Sequence, residues 1–127
     1  MFTYDSADEF LTHLKENDFH KETCPVSSSI ALLSGKWELR ILFHLLRNDT
    51  LRFAQLKRLL PGITNTVLTA TLKKFEAEGI INRVQFNEIP PHVEYSLTQS
   101  GQALIHVFFE LAKWADGYYN QTDLNAK

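Results

Sequence analysis

Residues 53–97 read FAQLKRLLPGITNTVLTATLKKFEAEGIINRVQFNEIPPHVEYSL, a stretch in which two helical periods give way to a strand period. Phe53, Leu56, Leu59 and Leu60 recur at helical spacing while Gln55, Lys57 and Arg58 fall opposite, which predicts a short helix with one buried and one wet face. Pro61-Gly62 ends it. Thr64 then caps a second helix whose apolar positions Val67, Leu68, Leu72 and Phe75 face inward until Gly79 closes it. Its other face carries Asn65, Thr66, Thr69, Ala70, Lys73 and Lys74, small and polar for two turns and basic thereafter. Such a surface lies against base edges without steric block and holds a phosphate further along. Ile81 to Phe86, and the alternation of Val93, Tyr95 and Leu97 with Glu94 and Ser96, predict two antiparallel strands. Asn87 to His92 joins them, stiffened by Pro90-Pro91. Helix, corner, helix and hairpin is the order of a winged helix-turn-helix, a mostly α fold with a small β-hairpin wing.

Upstream, Ser6 followed by Glu9 fits a capping box, and Phe10, Leu11 and Leu14 give a first helix an apolar edge that ends near Asn17. Pro25 opens a second helix with Val26, Ile30 and Leu33 on one side, stopped by Gly35. From Lys36 a third helix follows, with Trp37, Ile41, Leu42, Leu45 and Leu46 at spacings of three and four. Asn48 and Asp49 end it, and Leu51-Arg52 is a brief extended piece that pairs with the hairpin. Downstream, Thr98 and Gln99 open one long final helix whose stripe Leu104, Val107, Leu111, Trp114 and Tyr118 is widened by Phe108 and Ala115. A terminal stripe this aromatic, with no later element to cover it, exceeds what one small domain needs. Leu39, Phe43, Phe108, Phe109 and Tyr119 read as plain packing, with a pocket between core and last helix as the alternative.

A chain of 127 residues, 44% hydrophobic and 22% charged, supports one packed domain. No run of about 18 apolar residues occurs, and the first residues carry Asp5, Asp8 and Glu9 where a signal peptide carries positive charge. A soluble cytoplasmic protein without membrane association is the expectation. The net charge of -2 hides an uneven distribution: residues 35–100 hold nine Lys and Arg against six Asp and Glu, while both flanks are acidic. That excess permits nucleic-acid binding without demanding it. His13, His20, His44, His92 and His106 are scattered without metal-ligand spacing, and five Gly that do not cluster make no phosphate loop. No enzymatic activity, metal or cofactor is expected. The hairpin would lie beside the groove that the second helix enters, with Arg83 and His92 as its contact candidates. Each reads equally well as an ordinary strand or loop residue.

Cys24-Pro25-Val26, Gly35-Lys36-Trp37, Arg52-Phe53, Leu60-Pro61-Gly62-Ile63, Val67-Leu68-Thr69, Glu78-Gly79, the run Pro90 to Thr98 and Gly101 occur in order, and together they resemble the HxlR-type regulators. These are bacterial winged-helix transcription factors related in shape to the MarR group. The resemblance runs from Cys24 to about Trp114. It implies a homodimer, commonly a repressor, on a palindromic double-stranded DNA operator, with N- and C-terminal dimerisation helices. Carried over, the reading positions are Thr64, Asn65, Thr66, Thr69, Ala70 and Lys73, with backbone contacts from Lys36, Arg52 and the wing. Where the family often has Ser at position 64 and longer polar or basic residues near 70 and 71, this chain has Thr64, Ala70 and Thr71, which leaves the operator sequence open. The implied organisation is a single domain over 1–127: an extension at 1–23, a core at 24–114 and a dimerisation helix at 99–120 that offers Leu104, Val107, Phe108, Leu111, Trp114 and Tyr118. Cys24 precedes a helix N-terminus, where backbone N–H groups favour the thiolate. Several family members sense oxidants or electrophiles at the matching cysteine. A redox or small-molecule effector acting through Cys24 is therefore one reading, a small buried gap-filling cysteine the other. The competing function is a winged-helix module that binds another protein and not DNA.

Overall fold

The computed structural model describes residues 4–16 and 25–125, with side chains as far as residue 120. Residues 1–35 and 36–127 form two compact units. The first unit holds α1 (Ala7–Glu16) and α2 (Pro25–Leu33). Ser6 Oγ accepts the Glu9 N–H at 3.1 Å, as an N-cap should, while the Glu9 carboxylate accepts from Asp5 N–H, one position earlier than a capping box would use. Asn17 and Cys24 lie outside the described residues.

The second unit runs α3 (Glu38–Arg47), β1 (Leu51–Arg52), α4 (Phe53–Leu59), α5 (Asn65–Ala77), β2 (Ile81–Phe86), β3 (His92–Leu97), α6 (Gln99–Gln102) and α7 (Ile105–Asn125). The sheet order is β1-β3-β2, antiparallel throughout, with Leu51 opposite Tyr95 and Ile81 opposite Leu97. These four side chains are buried and close one end of the core. Phe75, Ile41, Leu42, Leu56, Leu68 and Leu72 fill the rest. Each such burial is worth roughly 1.5–3 kcal/mol relative to exposure. The corner between α4 and α5 turns on Gly62, whose φ of +93° is costly for any residue with a Cβ.

Four expectations are corrected. α3 begins at Glu38, with Trp37 as its N-cap and Lys36 outside it, so the helix starts two residues late. Val67 is 39% exposed; Thr71 takes the inner position instead, its hydroxyl donating to the Val67 carbonyl at 2.8 Å and so entering the core with its polar atom satisfied. Leu59 also faces outward, leaving Leu60 to anchor that end of α4. The single last helix is two: the ladder tightens at Leu104 N–H to Gly101 C=O and His106 N–H to Ala103 C=O, dividing α6 from α7. Gly101 is held where a Cβ would strike the Ile80 carbonyl and the Leu97 side chain. The Thr98 hydroxyl lies 2.6 Å from the Gly79 carbonyl and 3.0 Å from that of Ile80, and it accepts the Gly101 N–H. No helix among the described residues is long and apolar enough to cross a membrane.

Candidate nucleic-acid interface

α5 owes its placement to its two faces. Leu68, Thr71, Leu72 and Phe75 fix the inner side. Asn65, Thr66, Thr69, Ala70 and Lys73 are all exposed and line one shallow depression, since positions 65, 66, 69, 70 and 73 fall on one side at 3.6 residues per turn. Thr64 precedes them with extended backbone (φ -85°, ψ 157°), and its Oγ1 accepts the Val67 N–H at 3.1 Å. The cap occupies Thr64 as an acceptor and leaves its hydroxyl proton to donate. The surface is thus fixed in backbone, short in side chain and open to solvent.

The flanking cations stand in different settings. Arg83 sits opposite Tyr95 and joins Thr69, Leu72, Lys73, Glu76 and Tyr95 around a second depression, beside the basic half of α5. Arg52 lies at the N-cap of α4, where its N–H donates to Gln55 Oε1 at 2.8 Å, and it shares a depression with Arg58 and Glu94. The Lys36 ammonium lies 5.0 Å from the Trp37 ring centroid, with the Arg40 guanidinium on the same ring at 5.9 Å. His92 is not a loop residue: it opens β3, stacks on Phe86 at 4.7 Å and lies 3.5 Å and 3.6 Å from the carboxylates of Glu88 and Glu94. Its side chain is 15% exposed and lies at the tip end of the wing, where Phe86 and His92 are the last paired residues before the loop. One contact had no sequence signal. The Lys57 ammonium on α4 donates to Asn65 Oδ1 at 2.5 Å, reaching across the Pro61-Gly62 corner to the first residue of α5.

At the other end of the unit, α7 exposes Val107, Leu111, Trp114 (63%) and Tyr118, with Trp114 and Tyr118 stacked at 5.0 Å and an interplanar angle of 7°. Phe108 turns inward against Phe43 at 5.8 Å, Leu104 is half-buried, and Phe109 and Tyr119 point to solvent. His44, beside Phe43 on α3, has a buried Nδ1 with no hydrogen-bond partner among the described residues. Burial, reinforced by Arg47, holds its imidazole below the ordinary pKa, while hydrogen bonding to the Leu59 backbone pulls the other way.

A capped helix offering a short polar and basic row, set against a three-stranded wing, defines a winged helix-turn-helix DNA-binding protein. The profile of the HxlR-like helix-turn-helix family matches residues 32–123, and the chain belongs to that family. It is 36% identical over 102 residues to the HTH-type transcriptional regulator YdeP of Bacillus subtilis (strain 168), covering 80% of this chain and 79% of that one. Among solved structures it is similar to a MarR family transcriptional regulator from Porphyromonas gingivalis W83, with TM-score 0.70 and 38% identity over 78% of this chain and 96% of that one. It is also similar to the redox regulator HypR in its oxidized form, with TM-score 0.67 and 34% identity over 74% of this chain and 96% of that one. The chain is a transcriptional regulator with a helix-turn-helix domain, and no enzymatic family is indicated.

Proposed function

We propose that the chain works as a homodimeric repressor that places its two α5 helices in successive major grooves of a palindromic operator. The observation that carries this reading is the outward row Asn65, Thr66, Thr69, Ala70 and Lys73 on a helix whose inner face is fully spent on the core. Asn65, Thr66 and Thr69, with the Thr64 hydroxyl, read base edges, and Ala70 lets the backbone approach closely. Lys73 and Arg83 hold phosphates beside the reading face, and Arg52 and Lys36 hold the flanking backbone; His92 supports the wing from which Arg83 projects. Leu104, just before α7, and the α7 residues Val107, Phe108, Leu111, Trp114 and Tyr118 supply the dimer contact, supported by the solvent exposure of the Trp114 and Tyr118 rings. Cys24 is the responsive group of the reading: it is the chain's one thiol, it precedes α2, and the similar protein HypR is named a redox regulator. The protein acts in the cytoplasm, where promoter DNA lies.

The test is DNA captured from a genomic fragment library and titrated across salt. Binding weakens steeply as salt rises, and Lys73→Ala or Arg52→Ala each flattens the log–log slope by about 0.9 while weakening all sequences alike. Binding that ignores both salt and these substitutions defeats the reading and leaves the protein-docking module in its place.

A further inference from the structure

The contact between Lys57 and Asn65 sets what the first residue of the reading helix presents. A free asparagine amide offers one acceptor and two donors, the combination that grips adenine through its N7 acceptor and N6 amino group. Here the Oδ1 side is covered by an ammonium, which carries donors only, so the direction of the hydrogen bond is fixed by chemistry. The ammonium has two donors left beside the amide NH2, and both residues are exposed. A base amino group approaching Oδ1 would meet the positive charge first. The Lys57–Asn65 pair therefore presents chiefly donors, its remaining Oδ1 lone pair lying beside the positive charge. In the major groove the base edge with two acceptors and no donor is that of guanine, through N7 and O6.

We propose that Lys57 and Asn65 act as one donor-rich reader that selects guanine at one position of each operator half-site, making Lys57 a specificity residue although it lies outside the reading helix. This rests on the DNA-reading role proposed above. A phosphate oxygen is also an acceptor, so the test separates the two partners. A randomised duplex library is selected with the wild-type protein, Lys57→Met and Asn65→Asp, and each enriched sequence is remeasured by anisotropy at fixed salt. The expected result is guanine at one half-site position with at least about tenfold preference over adenine, the scale of a good bidentate contact. Lys57→Met, which keeps the apolar stem, moves that position towards adenine. Asn65→Asp, which loses the amide donors and ties up the ammonium, loses the guanine preference. If Lys57→Met instead weakens every sequence equally, flattens the salt slope by about 0.9 and leaves the preferred base unchanged, Lys57 holds a phosphate and the proposal is overturned. A wild-type protein that enriches no sequence at all removes the DNA-reading role itself, and this proposal with it.

Discussion

α5 and α7 belong to the same compact unit and settle their burial in opposite ways. α5 hides Leu68, Thr71, Leu72 and Phe75 within its own chain and shows solvent a row of short polar groups. α7 buries no residue between Ile105 and Asn120 and shows solvent Trp114, Tyr118, Phe109 and Tyr119. The first helix is thus held by the monomer and free to read something outside it. Among its described side chains from Ile105 to Asn120 the second has Phe108 and Ala115 half-buried and the rest exposed, and its apolar surface exceeds what single scattered hydrophobics would leave exposed. On the dimer proposed above, the contrast separates a helix whose position is an intramolecular property from one whose position depends on assembly.

The largest break in that contrast comes from Phe75→Ala. Truncating a fully buried phenylalanine should cost about 3–5 kcal/mol of folding free energy, read as a fall in the urea midpoint at all protein concentrations. Trp114→Ala should do the reverse. It should leave the monomer's unfolding within about 0.5 kcal/mol of the parent, while sedimentation equilibrium shows dimer dissociation strengthened by tenfold or more, as expected for an interface aromatic. A Trp114→Ala protein that unfolds early yet still dimerises would show that α7 packs on its own chain after all. The smallest effect is a pH dependence from His44. Its folded-state pKa lies below the ordinary value, so the unfolded chain takes up the proton first; the stabilisation is complete above about pH 6.5 and is lost as the pH falls through the lowered value. His44→Leu should flatten the acid limb of a stability–pH curve without moving the dimer constant, which places that loss on the intramolecular side.

The helix-turn-helix was legible because its determinants are local. Thr64 caps from its own hydroxyl, Gly62 and Gly79 take positive φ where the helices must turn, and Leu68, Leu72 and Phe75 follow one period. The strand Leu51-Arg52 was legible for the same reason, and its partner β3 was visible in the alternation around Tyr95. What failed was decided by packing and hydrogen-bond satisfaction and not by period. Val67 yields the core to Thr71 because the hydroxyl can be satisfied at the Val67 carbonyl. The last helix breaks after Gln102 where Gly101 must pass close to the Ile80 carbonyl, a contact between residues 21 positions apart that no periodicity encodes. At the candidate interface the outward row of α5 could be drawn on a helical wheel. Lys57 could not be joined to Asn65, because that pairing depends on the angle at which the corner sets α4 against α5.

The hydroxyl of Thr98 has a mechanical consequence. It touches the carbonyls that follow α5 and also receives the first turn of α6, which leads into α7. Leverage applied at the far end of the molecule therefore reaches the root of the reading rod through one small knot. In the proposed dimer, a twist between paired subunits need not deform the packed interior to change how the two rods are spaced; it has only to pull on that fastening.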